Sequence, residues 1–350
     1  MKRIITLSLA LLLVLGLCAC SGTDNKDLIG DASASKVYTV GLCNYVDDAS
    51  LNQIEKAITD RLDAIGKSKG VAFRVLADNC NADANVMNQI IANFVAEKVD
   101  LMIGIATPVA VAMQAATEDN RIPVVYAAVS DPMGCNLADI NGFSGTNITG
   151  TSDFLDTTAV LNLVFAADPG ADFVALLYDN GQEASASSID TAKYFLESKG
   201  ISYREYTGTN TTEVVQAAQQ IVSDGAKAVF TPTDNTIMKA ELSIYEIFAD
   251  AKIPHYAGAN SFALNGAFLG YGVDYVNLGE KTADLVAEVL LDGKDAGKLA
   301  FLTFDNGTAT VNTEICEKMG FDFETVKAAF GPYCSRVETI VTALSFDDLK

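Results

Sequence analysis

From residue 37 onward, short apolar runs alternate with longer stretches in which apolar side chains recur every three or four positions. In the first half, the short runs rich in β-formers predict strands at Tyr38–Cys43, Ala72–Leu76, Leu101–Ile105 and Val124–Ala128. Between the first two lies a predicted helix over about 49–67, in which Leu51, Ile54 and Ile58 start a buried stripe. Continuous apolar strands that alternate with helices predict a parallel sheet covered on both faces.

The same alternation starts again after residue 172. Its predicted strands are Phe173–Tyr178, Ser202–Tyr206, Ala228–Phe230 and His255–Ala257, each followed or preceded by an amphipathic helix. The segment Val99–Pro108, which spans a strand and the start of a helix, is echoed by Ala226–Thr233. The two halves therefore predict two lobes of similar topology without detectable sequence repetition.

The chain is expected to pass between these lobes three times. It leaves the first lobe near 146–153, returns near 272–275 into a helix at about 277–291, and leaves again near 304–308 toward a strand at 309–312. We predict an α/β protein with two doubly wound parallel-sheet lobes joined by a three-crossing hinge. The N-terminal lobe would comprise 37–147 and 276–304, and the C-terminal lobe 148–275 and 305–350.

The first twenty residues carry an export pattern. Lys2 and Arg3 precede an apolar run that is shorter than the roughly 20 residues a membrane span needs. The run ends in Leu17-Cys18-Ala19-Cys20, which resembles the lipobox of bacterial lipoproteins. This resemblance implies a signal peptide at 1–19, lipidation of Cys20 and attachment to the outer face of the cell membrane. An ordinary secretory signal is the alternative. The polar segment 20–36 has no apolar periodicity and predicts a flexible tether.

Charge and cysteine content narrow the possible partners. The whole chain has a formal charge of −21, and loss of Lys2 and Arg3 with the signal makes it two units more negative. Such a surface repels nucleic acid and anionic headgroups, so a nucleic-acid partner is excluded and membrane contact must come through the lipid on Cys20. No CxxC motif occurs, although Cys316 and Cys334 could pair outside the cytoplasm. With a single histidine, neither a metal site nor a cofactor is predicted.

Candidate ligand contacts follow from the predicted strand order. Ligands of open parallel sheets bind beyond the carboxyl ends of the strands, and the polar, small or aromatic residues expected there are Tyr45, Thr107, Ser130, Asp131, Asn180, Thr233, Asn235, Asn260 and Asp274.

Each candidate has a role and a competing structural explanation. Thr107 as N-cap and Pro108 as first helical residue would expose N–H groups to one carboxylate, although Thr107 could simply cap its helix. Asp274 could pair with a ligand ammonium or shape a hinge turn. Tyr45 could pack against an aromatic ring of the ligand, and the asparagines could orient the ligand or lie in turns. A zwitterion fits this set, whereas a phosphate fits poorly because no fixed cation is present.

The same segments resemble a known family, the extracytoplasmic substrate-binding proteins of ABC importers, in the subgroup of tryptophan- and tyrosine-type binders. The matching stretches run in order from residue 37 to 312 and are 40–46, 104–108, 129–132, 145–150, 177–180, 232–235 and 272–279. The resemblance implies a type I periplasmic-binding-protein fold that closes over a small ligand, such as an aromatic amino acid, and delivers it to a membrane permease. The chain departs from the pattern at 259–261, where relatives often carry an acidic residue, and in its longer tail, 321–350.

Other functions compete with this one. An enzyme on the same architecture is disfavoured because the chain has no GxSxG elbow, no P-loop and no GxGxxG after its first strand, although paired carboxylates would leave no such motif. A lipid-anchored sensor for a membrane receptor would share the fold and the site. A sugar or a nucleoside could replace the amino acid. We expect the protein to act as a monomer.

Overall fold

The computed structural model describes residues 28–304 and 307–349. The predicted signal peptide and Cys20 lie outside this part of the chain. Two sheets contain the named strands, which are β1 (Leu28–Gly30), β2 (Val37–Asn44), β3 (Ala72–Asn79), β4 (Leu101–Ile105), β5 (Val124–Ala127), β6 (Ile148–Gly150), β7 (Phe173–Tyr178), β8 (Ser202–Thr207), β9 (Ala228–Thr231), β10 (His255–Ala257), β11 (Leu269–Gly272), β12 (Thr308–Asn312) and β13 (Arg336–Ile340).

Helices flank both sheets. In the described part of the chain they are α1 (Ala49–Lys69), α2 (Ala84–Glu97), α3 (Thr107–Ala116), α4 (Thr157–Ala167), α5 (Glu183–Lys199), α6 (Thr211–Asp224), α7 (Asn235–Ala251), α8 (Asn260–Leu264), α9 (Tyr275–Leu290), α10 (Thr313–Met319) and α11 (Phe323–Phe330). Most start after a side-chain cap such as Asp83, Asn210 or Asp322, whose oxygen accepts N–H groups of the first turn.

The two sheets share one topological order. The first runs β1-β3-β2-β4-β5-β6 and the second β13-β12-β11-β10-β9-β7-β8. Apart from the edge strands β1, β12 and β13, each sheet therefore has five parallel strands in the order second, first, third, fourth, fifth. The prediction of two similar doubly wound lobes is confirmed. In this order the chain reverses its winding direction at β2/β4 and at β7/β9, and the crevice at such a switch point is where ligands bind.

Close helix packing holds the first lobe together. The apolar stripe predicted for α1 is buried, with Ile54, Ile58 and Leu62 fully inaccessible. Helix α9 returns from the second lobe to pack on α1, and a Cβ placed on Gly279 would lie 2.7 Å from Ala57 Cβ and 2.8 Å from the carbonyl oxygen of Ile54. Only a glycine allows the two helices to approach this closely.

Three segments connect the lobes, as predicted. The first lies between β6 and α4, the second between β11 and α9, and the third between Leu302 and β12. The first and third run side by side, since Ser152 N donates to Leu302 O at 2.8 Å and Leu302 N donates to Gly150 O at 2.9 Å. Thr151 also bonds Thr282 of α9 through their hydroxyls at 2.8 Å. These bonds make the crossings one connected hinge.

The structure corrects the predicted boundaries in two places. Strand β1 lies inside the segment predicted to be a flexible tether, pairs antiparallel with β3, and is held by Asp63, which accepts Gly30 N at 2.9 Å. Ordered structure therefore begins by Leu28. Strand β6 belongs to the first sheet, although residue 148 was predicted to open the second lobe. Both strands have only three residues, too few to show an alternating pattern.

The C-terminal tail extends the second lobe. Strand β13 adds to the edge of the second sheet beside β12, and α11 contributes Phe330 to the core. After it, Ala343 bonds Leu264 through its backbone, and Phe346 packs beside Ala49 at the start of α1 in the first lobe. The tail thus touches both sides of the cleft.

Cys316 and Cys334, which the sequence left as a possible pair, are not joined, and the described cysteines are all free thiols. Cys316 Sγ donates to Phe321 O at 3.7 Å and Cys334 Sγ donates to Phe330 O at 3.1 Å. Within residues 28–304 and 307–349, no helix has the length and apolarity needed to traverse a bilayer.

Replacing Gly279 with valine should destabilise the protein by about 2 kcal/mol or more, because the added side chain overlaps α1. Urea unfolding monitored by circular dichroism would measure this loss. Glu280→Ala is the control, since Glu280 is exposed on the same helix and its replacement should change stability by less than about 0.5 kcal/mol. Equal stabilities for the two variants would contradict the close α1–α9 approach.

Candidate functional site

A cavity lies between the lobes, at the carboxyl ends of the strands of both sheets. Its volume is about 20 Å³, room for little more than a water molecule and well below the roughly 300–1,000 Å³ of small-molecule sites, so the lobes leave only a narrow space between them. The first lobe lines it with loops after β2, β4 and β5, and the second with segments after β7, β9 and β10. The lining residues are Asp48, Ser50, Leu51, Ala106, Thr107, Ala128, Ser130, Asp153, Ala184, Thr233, Asp234, Asn235, Met238, Ala259, Ser261, Phe262 and Tyr275.

Helix α3 points its N-terminus at the cavity. The helix begins at Thr107, one residue earlier than predicted, with Ala106 rather than Thr107 as its N-cap. Ala106 has φ 78°, and Ala128, which faces it in the lining, has φ 55°, both in a left-handed region that alanine rarely adopts. Such strain persists where the surrounding structure enforces it, often at binding sites. The hydroxyl oxygen of Thr107 is buried without a hydrogen-bond partner, and the first N–H groups of α3 have no partner within the helix.

Asp153, in the first crossing, is a buried carboxylate at the centre of the hinge. Ser130 Oγ, which follows β5, donates to its Oδ1 at 3.0 Å. Tyr275, at the start of α9 in the second crossing, donates its hydroxyl to the same carboxylate. Burial raises the pKa of Asp153 to about 6, against the effect of these two donors. Burial also raises the pKa of Tyr275, so its hydroxyl stays protonated and available as a donor.

Asp48 presents a second buried carboxylate from the loop after β2. Its Oδ1 caps α1 by accepting Leu51 N at 2.9 Å, while its Oδ2 has no partner. The Ser261 hydroxyl lies near it but donates to Met238 Sδ at 3.0 Å. Burial raises the pKa of Asp48 to about 6. One oxygen of this group is therefore free to bind a donor.

Asp234, the third carboxylate in the lining, is already satisfied. It accepts hydrogen bonds from Ser185 Oγ at 2.7 Å, from Asp179 N at 2.8 Å, and from two N–H groups of the first turn of α7. It therefore caps α7 and fixes the loop after β7. Among the described residues that line the cavity, none is Lys, Arg or His. The negative charges of Asp48 and Asp153 thus have no protein cation beside them in the cavity.

Apolar side chains form the rest of the wall. Phe262 and Tyr275 are buried aromatic residues, and Leu51 and Met238 add aliphatic surface. The alanines at 106, 128, 184 and 259 leave space between these larger groups. The cavity accordingly has a charged and polar end together with an apolar, partly aromatic wall.

Polar contacts bridge the cleft beside the cavity. Ser50 Oγ of the first lobe donates to Asn260 Oδ1 of the second at 3.1 Å. Tyr45, after β2, hydrogen bonds Gln182, which lies just before α5. Gln182 in turn accepts Asn235 Nδ2 at 3.2 Å. These contacts hold the two lobes against each other.

The predicted contacts divide into three groups. Those that line the cavity are Thr107, Ser130, Thr233 and Asn235. Tyr45 and Asn260 lie beside it as bridges between lobes.

The remaining candidates lie outside the cavity. Asp131 accepts Gly134 N at 2.8 Å and lines a separate surface groove. Asn180 is exposed beyond β7. Asp274 is exposed and caps α9 by accepting Asn277 N at 3.0 Å, a role not predicted for it from the sequence. The hinge residue that reaches the cavity is its neighbour Tyr275.

Sequence reasoning missed the buried carboxylates Asp48 and Asp153. Both had a detectable signal, because Asp48 stands directly before a predicted helix, as an N-cap does, and Asp153 lies in the predicted first crossing. His255, the single histidine, lies away from the cavity, where its ring nitrogens contact Glu241 Oε1 at 3.1 Å and Thr231 Oγ1 at 2.9 Å. No group of side chains in the described residues is arranged to hold a metal ion.

Comparison with solved structures shows one ligand-bound relative and one ligand-free relative. An ABC domain from Streptococcus pneumonia in complex with L-Trp is 26% identical and superposes with a TM-score of 0.78 over 86% of this chain and 100% of that chain. The ligand-free, open structure of a substrate-binding protein with adhesive properties from Clostridium difficile is 25% identical but has a TM-score of 0.64, over 87% and 100% of the two chains. At similar identity, the tryptophan complex therefore superposes better on this chain than the ligand-free, open structure does.

Sequence comparison agrees with the fold. A tyrosine-binding protein from Clostridioides difficile is 28% identical over 317 residues, which cover 89% of this chain and 91% of the relative. The family model for ABC transporter substrate-binding proteins matches residues 39–326, nearly the whole of the two lobes. The chain belongs to the family of ABC transporter substrate-binding proteins.

Proposed function

We propose that this protein is the lipid-anchored, extracytoplasmic receptor of an ABC importer and closes around one amino acid with an aromatic side chain. The observation that carries the proposal is a cavity at both topological switch points, lined by three buried carboxylates, Asp48, Asp153 and Asp234, with no protein cation in its described lining. The tyrosine-binding and tryptophan-bound relatives supply the same class of ligand.

The ligand's ammonium group fits the carboxylate end of the cavity. Asp48 Oδ2 has no partner, and Asp153 shares its charge only with two hydroxyl donors. A buried charge is costly unless it is paired. A cationic group bound between these side chains supplies the missing charge and keeps both carboxylates ionised.

The ligand's carboxylate fits the N-terminus of α3. The Thr107 hydroxyl is a buried donor without a partner, the first N–H groups of α3 have no partner within the helix, and the helix dipole favours negative charge there. Thr233 and Asn235, at the facing end of α7, extend the polar surface from the second lobe. A ligand held by both lobes binds the closed arrangement better than the open one and so favours closure.

The side chain of the ligand fits the apolar wall. The chain has no Trp, so Phe262 and Tyr275 are the aromatic groups that can stack on a ring. They take the role that the sequence suggested for Tyr45, which instead bridges the lobes through Gln182.

The alternatives differ in charge or in partner. A sugar or a nucleoside brings no cation and would leave Asp48 and Asp153 uncompensated in the closed cavity. A sensor would use the same site and differ only in the membrane protein it contacts. Catalysis is not part of the proposal, because the family that matches this chain consists of solute-binding proteins.

Thermal shift with the twenty common amino acids tests the ligand class. A ligand at about 100 times its dissociation constant should stabilise the protein by roughly 2.7 kcal/mol, and we expect tyrosine, tryptophan or phenylalanine to give the largest shift. Mass spectrometry of natively purified, then denatured protein would identify a ligand that co-purifies. A shift with a sugar or a nucleoside, and with no amino acid, would reject the proposed ligand class.

Replacing Thr107 with valine should weaken amino-acid binding by about 10- to 100-fold while leaving the ligand-free protein as stable as the wild type. The lost hydroxyl has no partner in the protein but would donate to a charged ligand carboxylate. Isothermal titration calorimetry measures the affinity. Asn180→Ala should leave the affinity unchanged, because Asn180 is exposed outside the cavity.

Replacing Asp153 with asparagine should stabilise the ligand-free protein at pH 7 by about 1–3 kcal/mol and abolish measurable amino-acid binding. The folded-state pKa of about 6 exceeds the ordinary pKa of 3.8 for an aspartate, so the native state binds more protons than the unfolded state between these values and loses stability as the pH rises through them. The difference in melting temperature between variant and wild type should therefore grow from pH 4 to pH 7.

Asp190→Asn is the control for this experiment, since Asp190 is 81% exposed and its replacement should give no such pH trend. A stability difference for Asp153→Asn that stays constant with pH would show that the buried carboxylate does not titrate as described.

Replacing Cys20 with alanine should release the protein from membranes, because the proposed anchor is a lipid on that residue. Detergent phase partitioning followed by immunoblotting measures the change: the wild type should enter the detergent phase and the variant should not. Cys18→Ala should remain anchored, since Leu17 before it is too bulky for the cleavage site. Retention of Cys20→Ala in the detergent phase would reject lipidation at this position.

A further inference from the structure

Two cysteines lie next to each other at the carboxyl ends of neighbouring strands. Cys43 is the penultimate residue of β2, and Cys80 directly follows β3, which pairs with β2 in parallel so that Cys43 stands opposite Asp78. Because side chains alternate along a strand, Cys43, Asp78 and Cys80 point to the same face. Both cysteines are fully buried there in one apolar cluster with Ile90 and Phe94 of α2.

Direct contacts join the two residues and the loops that carry them. A hydrogen bond between the thiol groups raises the pKa of Cys43 and lowers that of Cys80. Cys80 N donates to Asn44 O at 3.0 Å, and Cys80 Sγ donates to Tyr45 O at 3.1 Å. Cys43 Sγ also donates to Asn44 O at 3.8 Å. Cys316 and Cys334 likewise donate to backbone carbonyls, those of Phe321 and Phe330.

We propose that Cys43 and Cys80 form a disulfide in the exported protein, a redox site that ties the loop before α1 to the loop before α2. The adjacent backbone bonds, Cys80 N to Asn44 O and Ala82 N to Tyr45 O at 2.7 Å, already hold these loops together. The bond therefore requires movement mainly of the two side chains. Family members act outside the cytoplasm, where disulfides persist.

The oxidant is a second disulfide, either of a thiol oxidoreductase or of a small thiol compound. The Cys80 thiolate attacks one oxidant sulfur, forms a mixed disulfide and releases the first oxidant thiol. Cys43 then attacks the Cys80 sulfur, closes the Cys43–Cys80 bond and releases the second thiol. The protons of the two cysteines end on the two released thiols, and the two electrons reduce the oxidant. Because both sulfurs are buried in the folded protein, the exchange takes place while the exported chain folds.

The bond would stabilise one rim of the ligand cavity. The loop it fixes carries Tyr45, which contacts Gln182 across the cleft, and Asp48, which lines the cavity. Closing the intervening loop restricts the unfolded chain, so reduction should lower the melting temperature by roughly 5 °C or more. The ligand site and the redox site are distinct, and ligand binding by the reduced protein would leave the proposed function intact.

Thiol labelling of the mature protein tests the proposal. The full chain is expressed with its own signal, purified from membranes, denatured in N-ethylmaleimide without reductant and mapped by peptide mass spectrometry. We expect the peptides of Cys43 and Cys80 to be joined and unlabelled, with Cys135, Cys316 and Cys334 labelled. Cys80→Ser should leave Cys43 labelled and melt at the temperature of the reduced wild type, with no further change on adding dithiothreitol.

Cys316→Ser is the matched control and should keep both the joined peptides and the effect of dithiothreitol on melting. The proposal is overturned if Cys43 and Cys80 are both labelled in the exported protein and remain so after it is refolded from denaturant with oxidised glutathione. It is also overturned if Cys316 and Cys334 are joined while Cys43 and Cys80 carry label.

Discussion

The buried carboxylate of Asp153 connects the hinge of this protein to its ligand cavity. It lies in the first crossing, accepts Ser130 Oγ from the first sheet at 3.0 Å, and receives the Tyr275 hydroxyl from the second crossing. No Lys, Arg or His in the described lining offsets its charge or that of Asp48. Because an uncompensated buried charge opposes closure, the closed arrangement depends on either protonation or a cationic ligand. The Asp153 carboxylate can therefore couple ligand binding to the position of the hinge.

The topology of the two sheets brings this group and its partners together. Each lobe has the same order of five parallel strands, so each has a crevice at the point where the order reverses. The two crevices face each other across the cleft. The N-terminus of α3, with Thr107, therefore lies opposite the N-terminus of α7, with Asn235. Donors from both lobes then meet at one cavity, which a single doubly wound lobe cannot provide.

Hydrophobic periodicity predicts most of this arrangement. The stripe of α1 and the apolar strands from β2 to β10 lie where the pattern places them, because each spans enough residues to show its period. Strands β1 and β6, with three residues each, and helix α4, which is apolar on most sides, show no such period. For the site, strand ends indicate Thr107, Ser130, Thr233 and Asn235, which line the cavity. They do not distinguish Asp274, which faces solvent, from Tyr275, which faces the cavity, since one residue of helix rotation decides between them.

The energetic balance of closure follows from which contacts cross the cleft. Besides apolar packing, the bridges next to the cavity are hydrogen bonds between uncharged side chains, such as Ser50 with Asn260 and Tyr45 with Gln182. Each such hydrogen bond contributes about 1 kcal/mol net to closure, because in the open cleft the same groups would form hydrogen bonds with water. Two carboxylates with raised pKa values work against these bonds at neutral pH. An ammonium group on the ligand would compensate these carboxylates, and a carboxylate on the ligand would accept hydrogen bonds from the N-terminus of α3. The charges of the ligand, more than its size, therefore set the free-energy difference between the open and closed states.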